Sequence, residues 1–147
     1  MSLIFNTPEF ENQLMRVLHV VYSGGADIGE VLVTAKKIRD ADFESWWSEW
    51  LHLAERIERC AIASKDAGEP INAERSFRKA STYFRTAVFF FWGNSERHAP
   101  VLEALKRSDY CLMESITLSQ LVMQSVDTPS SEGRIRLLLG DSKEVSP

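Results

Sequence analysis

Cysteine is scarce in this chain of 147 residues: there are two, Cys60 and Cys111, and they form no C-x-x-C pair. No disulfide framework is implied, and both fall on the apolar faces of predicted helices, where free cysteine behaves as a small hydrophobe. That usage fits a reducing compartment, so the cytosol is the expected home. A basic surplus is lacking too. With 17 Lys and Arg against 21 Asp and Glu, the formal net charge is −4, which gives no electrostatic reason to bind nucleic acid or acidic lipid. The local group Arg75, Arg78, Lys79 and Arg85 has Glu74 in its midst and reads as a solvated helix face. The longest apolar run, from Ala87 to Trp92, is six residues, far short of the roughly 20 that a membrane-spanning helix needs. Met1-Ser2-Leu3-Ile4-Phe5 has no basic region and three consecutive apolar residues, so no signal peptide is read there.

The chain also lacks the usual carriers of chemistry. No G-x-S-x-G occurs, so there is no strained strand-to-helix turn to expose a nucleophilic serine. His19, His52 and His98 lie in or beside predicted helices without a triad order, and no catalytic residue is assigned. Glu49-Trp50-Leu51-His52 has the E-x-x-H spacing of di-iron bundles, but a second copy is missing. His52 therefore reads as a solvent-facing residue, with no metal site and no cofactor. Gly24-Gly25-Ala26-Asp27-Ile28-Gly29 superficially resembles a phosphate loop, yet it comes after a helix and Glu30 stands where a lysine belongs. It reads instead as a sharp helix–helix turn in which Asp27 caps the second helix.

Helical periodicity, by contrast, is plentiful. Apolar residues at spacings of three and four predict a first helix over 8–21 and a second over 28–39, opened by Asp27 with Glu30 at capping-box distance. A long third helix over 43–67 begins after Asp42, with Gly68 as its stop and Pro70 as the restart. The fourth covers 71–92, ended by Gly93-Asn94. The fifth, from about 100 to 126, carries Leu102, Leu105, Leu112, Met113, Ile116 and Leu121 on its expected inner face. The expected fold is an all-α helical bundle of about five helices, with the third and fourth as a long antiparallel pair. Residues 1–126 make the helical domain and 127–147 a short irregular tail, in which 130–134 are turn-like and 135–139 read as a lone strand without a partner.

Aromatic residues are in surplus. Trp46 and Trp47 are about 100° apart around their helix, and Phe89, Phe90, Phe91 and Trp92 sweep a full circumference, more than one core can bury from one side. The excess points to a second apolar interface, with a partner domain or another copy of the chain. Ala73-x3-Phe77-x2-Ala80 matches the second helix of a tetratricopeptide repeat, but only one such unit is visible where stacking needs about three.

Several motifs in order, Gly24-Gly25-Ala26-Asp27-Ile28-Gly29-Glu30, then Asp42-Phe43-Glu44-Ser45-Trp46-Trp47-Ser48-Glu49-Trp50, then Ala54-Glu55-Arg56, then Ala80-Ser81-Thr82-Tyr83-Phe84-Arg85-Thr86-Ala87 followed by Phe89-Phe90, give the chain a family likeness. Over roughly 10–116 it resembles the N-terminal helical cap of α/β-hydrolases such as the fungal polyketide chain-shortening hydrolases of pigment biosynthesis and bacterial dihydroxypseudooxynicotine hydrolase. The resemblance implies a lid over an active site whose serine, aspartate and histidine lie in a following α/β domain, acting on C–C or ester bonds of ketone or polyketide-like substrates. Residues 126–147 do not read as that family's entry into its sheet and are expected to be either a frayed tail or a stump of the missing domain. The chain is then expected to be a fragment, a truncated product or one piece of a split enzyme, silent by itself. Trp46, Trp47, Tyr83 and Phe90 are then expected to line substrate or meet the catalytic domain. The implied partners are that domain or a second copy, with a small-molecule substrate only when joined, and neither nucleic acid nor membrane. The alternative is a non-enzymatic helical interaction or dimerisation module.

Overall fold

Aspartate, glycine and proline set the helix ends. A computed structural model of the chain describes residues 2–93, 97–119, 122–130 and 133–141, the last two ranges as backbone. The helices are α1 (Pro8–His19), α2 (Ile28–Ala35), α3 (Phe43–Asp66), α4 (Pro70–Val88), continued by a 3₁₀ turn at Phe89–Phe91, and α5 (His98–Leu118). Asp42 caps α3 by accepting the Ser45 amide at 2.9 Å. The other end of α3 closes as expected on Gly68, which adopts a φ of +73°. The Glu69 amide reaches the Ser64 carbonyl at 2.9 Å and the Gly68 amide that of Lys65 at 3.1 Å, the paired bonds of a Schellman stop. Pro70 then opens α4 in the first-turn position, where its missing N–H costs nothing.

The bundle has α4 at its centre, packed along α3 on one side and α5 on the other. Phe77, Ala80, Phe84 and Ala87 of α4 are fully enclosed, as are Trp46, Trp50, Ala54 and Ala61 of α3. A seam of ion pairs ties α3 to α5: Arg97 with Glu44, Arg107 with Glu55 and Glu58, and Lys65 with Glu114. Glu58 is buried within this seam, and the Arg107 guanidinium that answers it also lies 4.5 Å over the Phe84 ring.

The buried face of α5 differs from the expected one. Val101, Ala104, Ser108, Cys111 and Ser115 face the core, while Leu102 and Met113 are exposed and Leu105, Leu112 and Ile116 half-buried; Leu121 lies outside the described residues. Close approach is the physical reason, because small side chains let two backbones near one another. Ser108 Oγ lies 3.1 Å from Ser81 Oγ and donates to the Ser81 carbonyl at 2.9 Å. A leucine at that crossing would hold the helices apart. On α2, Ile28 likewise points outward, whereas Val31 and Ala35, and Ile38 just beyond the end of the helix, are buried. Cys60, placed on an apolar face by periodicity, is exposed.

The fifth helix is shorter than its periodicity suggests. It stops at Leu118, and β1 (Val122–Ser130) pairs antiparallel with β2 (Gly133–Asp141), Val126 opposite Leu137 and Thr128 opposite Ile135. The segment read as a lone strand therefore has a partner, drawn in part from residues that periodicity gives to the helix. Val122, Val126 and Thr128 are β-branched and Pro129 cannot continue a helix. Residues 142–147 of the expected polar tail, and Asn94 of the expected stop after α4, lie outside the described residues. No helix among the described residues is long and apolar enough to cross a membrane.

A further feature ties down the N-terminal segment. The amides of Ile4 and Phe5 donate to the Glu11 carboxylate, and those of Asn6 and Thr7 to Asp40. This strap drives Phe5 into the core against Phe10 and Trp46, at ring distances of 5.5 and 6.0 Å.

Candidate functional site

Three of the motifs that carry the family resemblance, in 24–30, 42–50 and 80–87, lie far apart in the chain and meet at one junction, while Glu55 of the remaining one, 54–56, pairs with Arg107. Gly24 turns the chain after α1 with φ +75°, a conformation that costs glycine nothing, and Arg78 fixes the turn by donating to the Ser23 carbonyl at 3.0 Å. Gly25 is packed so closely that a Cβ would stand 3.3 Å from Thr82 Oγ1 and from the Val20 side chain and carbonyl. Asp27 accepts the Glu30 amide at 2.9 Å, the cap read from the sequence. The reciprocal arm of a capping box would send the Glu30 carboxylate back to the Asp27 amide. Here the Tyr83 hydroxyl stands between them, accepting from the Asp27 amide at 2.9 Å and donating to Glu30 Oε2 at 2.7 Å. Lys79 holds the other Glu30 oxygen at 2.8 Å. Three residues beyond Tyr83 along α4, the Trp46 indole N–H donates to the Thr86 carbonyl at 2.8 Å.

Nothing in this junction is poised to react. Burial pushes the ionisation of Tyr83 upward, and neighbouring Glu30 pushes the same way against the Asp27 amide, so the hydroxyl stays neutral. Lys79 is engaged by Glu30. The arrangement can hold α2, α3 and α4 in fixed relation, which is a positioning task.

The four residues expected to meet a substrate or a domain fall into two groups. Trp46 and Tyr83 have no exposed surface, and Trp50 lies between them at 5.7 and 5.9 Å. Trp47 and Phe90 are partly buried against the core: Trp47 lies edge-on to Phe91 at 5.4 Å, and Phe90 stacks on Phe10 at 5.0 Å. Much of the aromatic surplus is thus absorbed from two sides, because α1 and the strap cover the surface that α4 and α5 leave open. Phe43, Phe89 and Trp92 keep exposed surface.

A cleft lies elsewhere, between α1, the C-terminal half of α4 and α5. It holds about 360 Å³ and is lined by Gln13, Arg16 and Val17 from α1 and Val20 just after it, by Thr82, Arg85, Thr86 and Val88 from α4, and by Phe89, Trp92 and Leu105. None of the four candidates lines it, and periodicity alone gave no signal for it. The basic group on α4 is divided accordingly: Arg78 pairs with Glu74 and Lys79 with Glu30, while Arg85 opens onto the cleft. His52 is exposed, as read from the sequence, and no group of three or more potential metal ligands occurs among the described residues.

Known proteins share this sequence over much of its length. The chain is 36% identical over 104 residues, 68% of its own length and 23% of the other's, to the alpha/beta hydrolase psoB of Aspergillus fumigatus. It is 32% identical over 124 residues to the alpha/beta hydrolase xenA of Xenoacremonium sinensis, covering 84% of this chain and 28% of that protein. With the 20-hydroxy-prefusarin hydrolase FUS2 of Gibberella moniliformis it shares 33% identity over 89 residues, 60% of this chain and 21% of that one. The chain spans about a quarter of the length of the curated relatives it matches. No family model matches it.

Proposed function

We propose, from the resemblance of this chain to the fungal α/β-hydrolases, that it is the helical lid of a serine-type hydrolase and is catalytically silent by itself. One observation carries the reading: the similarity to xenA, at 32% identity, covers 84% of the chain, while the G-x-S-x-G of a nucleophile elbow is absent from it. A lid contributes shape, apolar surface and exclusion of water, and leaves bond breaking to the triad of the domain it covers. The substrate class is proposed to be a ketone, ester or polyketide-like molecule, since one relative is named for hydrolysing 20-hydroxy-prefusarin. Trp47 and Phe90, which keep some surface, are proposed to meet the catalytic domain, with Trp46 and Tyr83 fixing them from behind. The β1–β2 pair is proposed as the lead into that domain, and the cytosol as the home of the whole.

The test is a p-nitrophenyl ester assay across the fractions of a size-exclusion run. The lid reading expects no turnover from this chain alone, and restored turnover when it replaces the corresponding helical stretch of xenA. Ester hydrolysis that tracks the chain's own peak overturns it, as does a folded but inactive chimera. The rival reading, an interaction module that binds itself, draws on the exposed Leu102 and Met113 of α5 and expects a dimer by light scattering.

A further inference from the structure

We propose that the cleft between α1, α4 and α5 is a binding site for a small organic anion with a flat apolar body. The inference rests on this chain's own walls and does not depend on the lid reading. Its volume, about 360 Å³, falls within the roughly 300–1,000 Å³ of small-molecule sites. The apolar part of the lining comes from Val17, Val20, Val88, Leu105, Phe89 and Trp92. Trp92 is 66% exposed, a large ring left on the surface at the edge of a cavity.

Charge selects the ligand. Arg16 enters from the α1 wall and Arg85 from the α4 wall, and no acidic residue lines the cleft, in a chain where acids outnumber bases 21 to 17. Neither guanidinium takes part in any of the ion pairs among the described residues. Arg16 lies instead 5.7 Å over the Phe89 ring, which holds its planar fork beside the apolar wall. Arg85 is the one exposed side chain of the stretch 80–87, whose other members are buried or half-buried. The two threonine hydroxyls spend their protons on the helix backbone, Thr82 on Arg78 and Thr86 on Thr82. The charged donors left to a ligand are therefore the two guanidiniums, with the Gln13 amide and the Trp92 indole N–H as neutral ones. Guanidinium forks match a carboxylate, sulfonate or acidic enolate, and the aromatic wall accepts a flat hydrophobic body.

The probe pair is 8-anilinonaphthalene-1-sulfonate and its uncharged counterpart N-phenyl-1-naphthylamine, followed by fluorescence titration of the intact chain. The anionic probe is expected to saturate at one site, to bind more tightly than the neutral one, and to weaken as salt rises. Arg16→Gln and Arg85→Gln should each weaken it about 3- to 10-fold, and leave the neutral probe unchanged. Arg75→Gln, on the same helix but off the cleft, should change neither. Trp92→Ala should weaken both probes. Each variant is compared at matched far-UV circular dichroism and urea midpoint, and Arg→Lys versions replace any that fail to fold. Equal affinity for the two probes, unsaturable binding, no binding, or an Arg16→Gln/Arg85→Gln pair within twofold of the parent overturns the proposal.

Discussion

Replacing Tyr83 by phenylalanine removes one oxygen atom and tests the junction of motifs directly. That oxygen makes two hydrogen bonds, one from the Asp27 amide at 2.9 Å and one to the Glu30 carboxylate at 2.7 Å. A bond to a charged acceptor contributes about 1.5–3 kcal/mol, and a buried donor left unmatched costs about 1–3 kcal/mol. The two do not add in full, because Lys79 still holds Glu30 and the Glu30 side chain is 19% exposed to water. The expected net loss is about 2 kcal/mol, or a fall of roughly 4–8 °C in Tm for a chain of this size. Urea unfolding followed by circular dichroism measures it. Tyr110→Phe, at a ring 46% exposed, is the control and should stay within about 0.5 kcal/mol of the parent. A double-mutant cycle with Glu30→Gln should return a coupling of about 1 kcal/mol. A loss below about 0.5 kcal/mol, or a coupling near zero, would refute the idea that Tyr83 completes the Asp27 cap.

Four further perturbations test the geometry elsewhere. Ala41 has a φ of +62°, so Ala41→Gly should stabilise the chain by about 0.5–1 kcal/mol in thermal unfolding, whereas destabilisation would mean the left-handed turn costs alanine nothing. Ser108→Leu overfills the α4–α5 crossing and should cost about 1–3 kcal/mol, while Leu102→Gln on the outer face should cost less than about 0.5 kcal/mol; the reverse order would restore the face expected from periodicity. Desolvation pushes Glu11 and Asp40 up, but the amides of the N-terminal strap outweigh it and hold both carboxyls below their ordinary values of 4.5 and 3.8. Their contribution is then complete above those ordinary values and lost as pH falls through the lower folded ones, so hydrogen exchange at residues 3–7 should rise in acid before the helices melt; strap protection unchanged down to the acid midpoint of the helices would contradict this. Burial, with Glu58 beside it, pushes the Cys111 thiol up to about 12, so a maleimide should label Cys60 alone in the native chain and both thiols in urea.

Local chemistry is the part of this fold that the sequence makes legible. Asp27, Asp42, Gly68 and Pro70 act within a turn or two of themselves, and each reads directly as a cap, a stop or a restart. The α3–α4 pair is legible too, since its apolar stripes are long and uninterrupted. Interactions that join distant residues are not. Nothing in Glu11 or Asp40 announces that they grip the backbone of 3–7, and nothing in Tyr83 announces that its hydroxyl enters a cap 56 residues away. On α5, hydrophobicity points to leucines while close packing chooses serine, alanine and cysteine. The β1–β2 pairing is hidden for a similar reason: part of the partner of 135–139 falls in a stretch whose helical periodicity continues past the true end of α5. The candidate site is the least legible part. Aromatic surplus singles out Trp46 and Tyr83, which are interior, while the cleft arises only where α1 lies beside α4.

The motifs that carry the resemblance and the surface that would select a ligand are therefore largely different residues. Gly24, Gly25, Asp27, Glu30, Trp46 and Tyr83 hold helices to one another, and a substitution among them would be felt as lost stability before anything else. Asp27, Glu30, Trp46 and Tyr83 are held by hydrogen bonds of 2.7–2.9 Å, Gly25 by packing that leaves a Cβ 3.3 Å from its neighbours, and Gly24 by its positive φ. They carry no information about which molecule is handled. That information would sit where side chains remain unspent after folding: in Arg16, Arg85, Gln13, Phe89 and Trp92 around the cleft. Of the three residues in the stretch 80–87 that line the cleft, Thr82, Arg85 and Thr86, Arg85 alone is exposed, anchored in a structural motif yet pointing away from it. If substitution there alters probe affinity and leaves the urea midpoint alone, while Tyr83→Phe does the opposite, the frame and the selecting surface are separable in this chain.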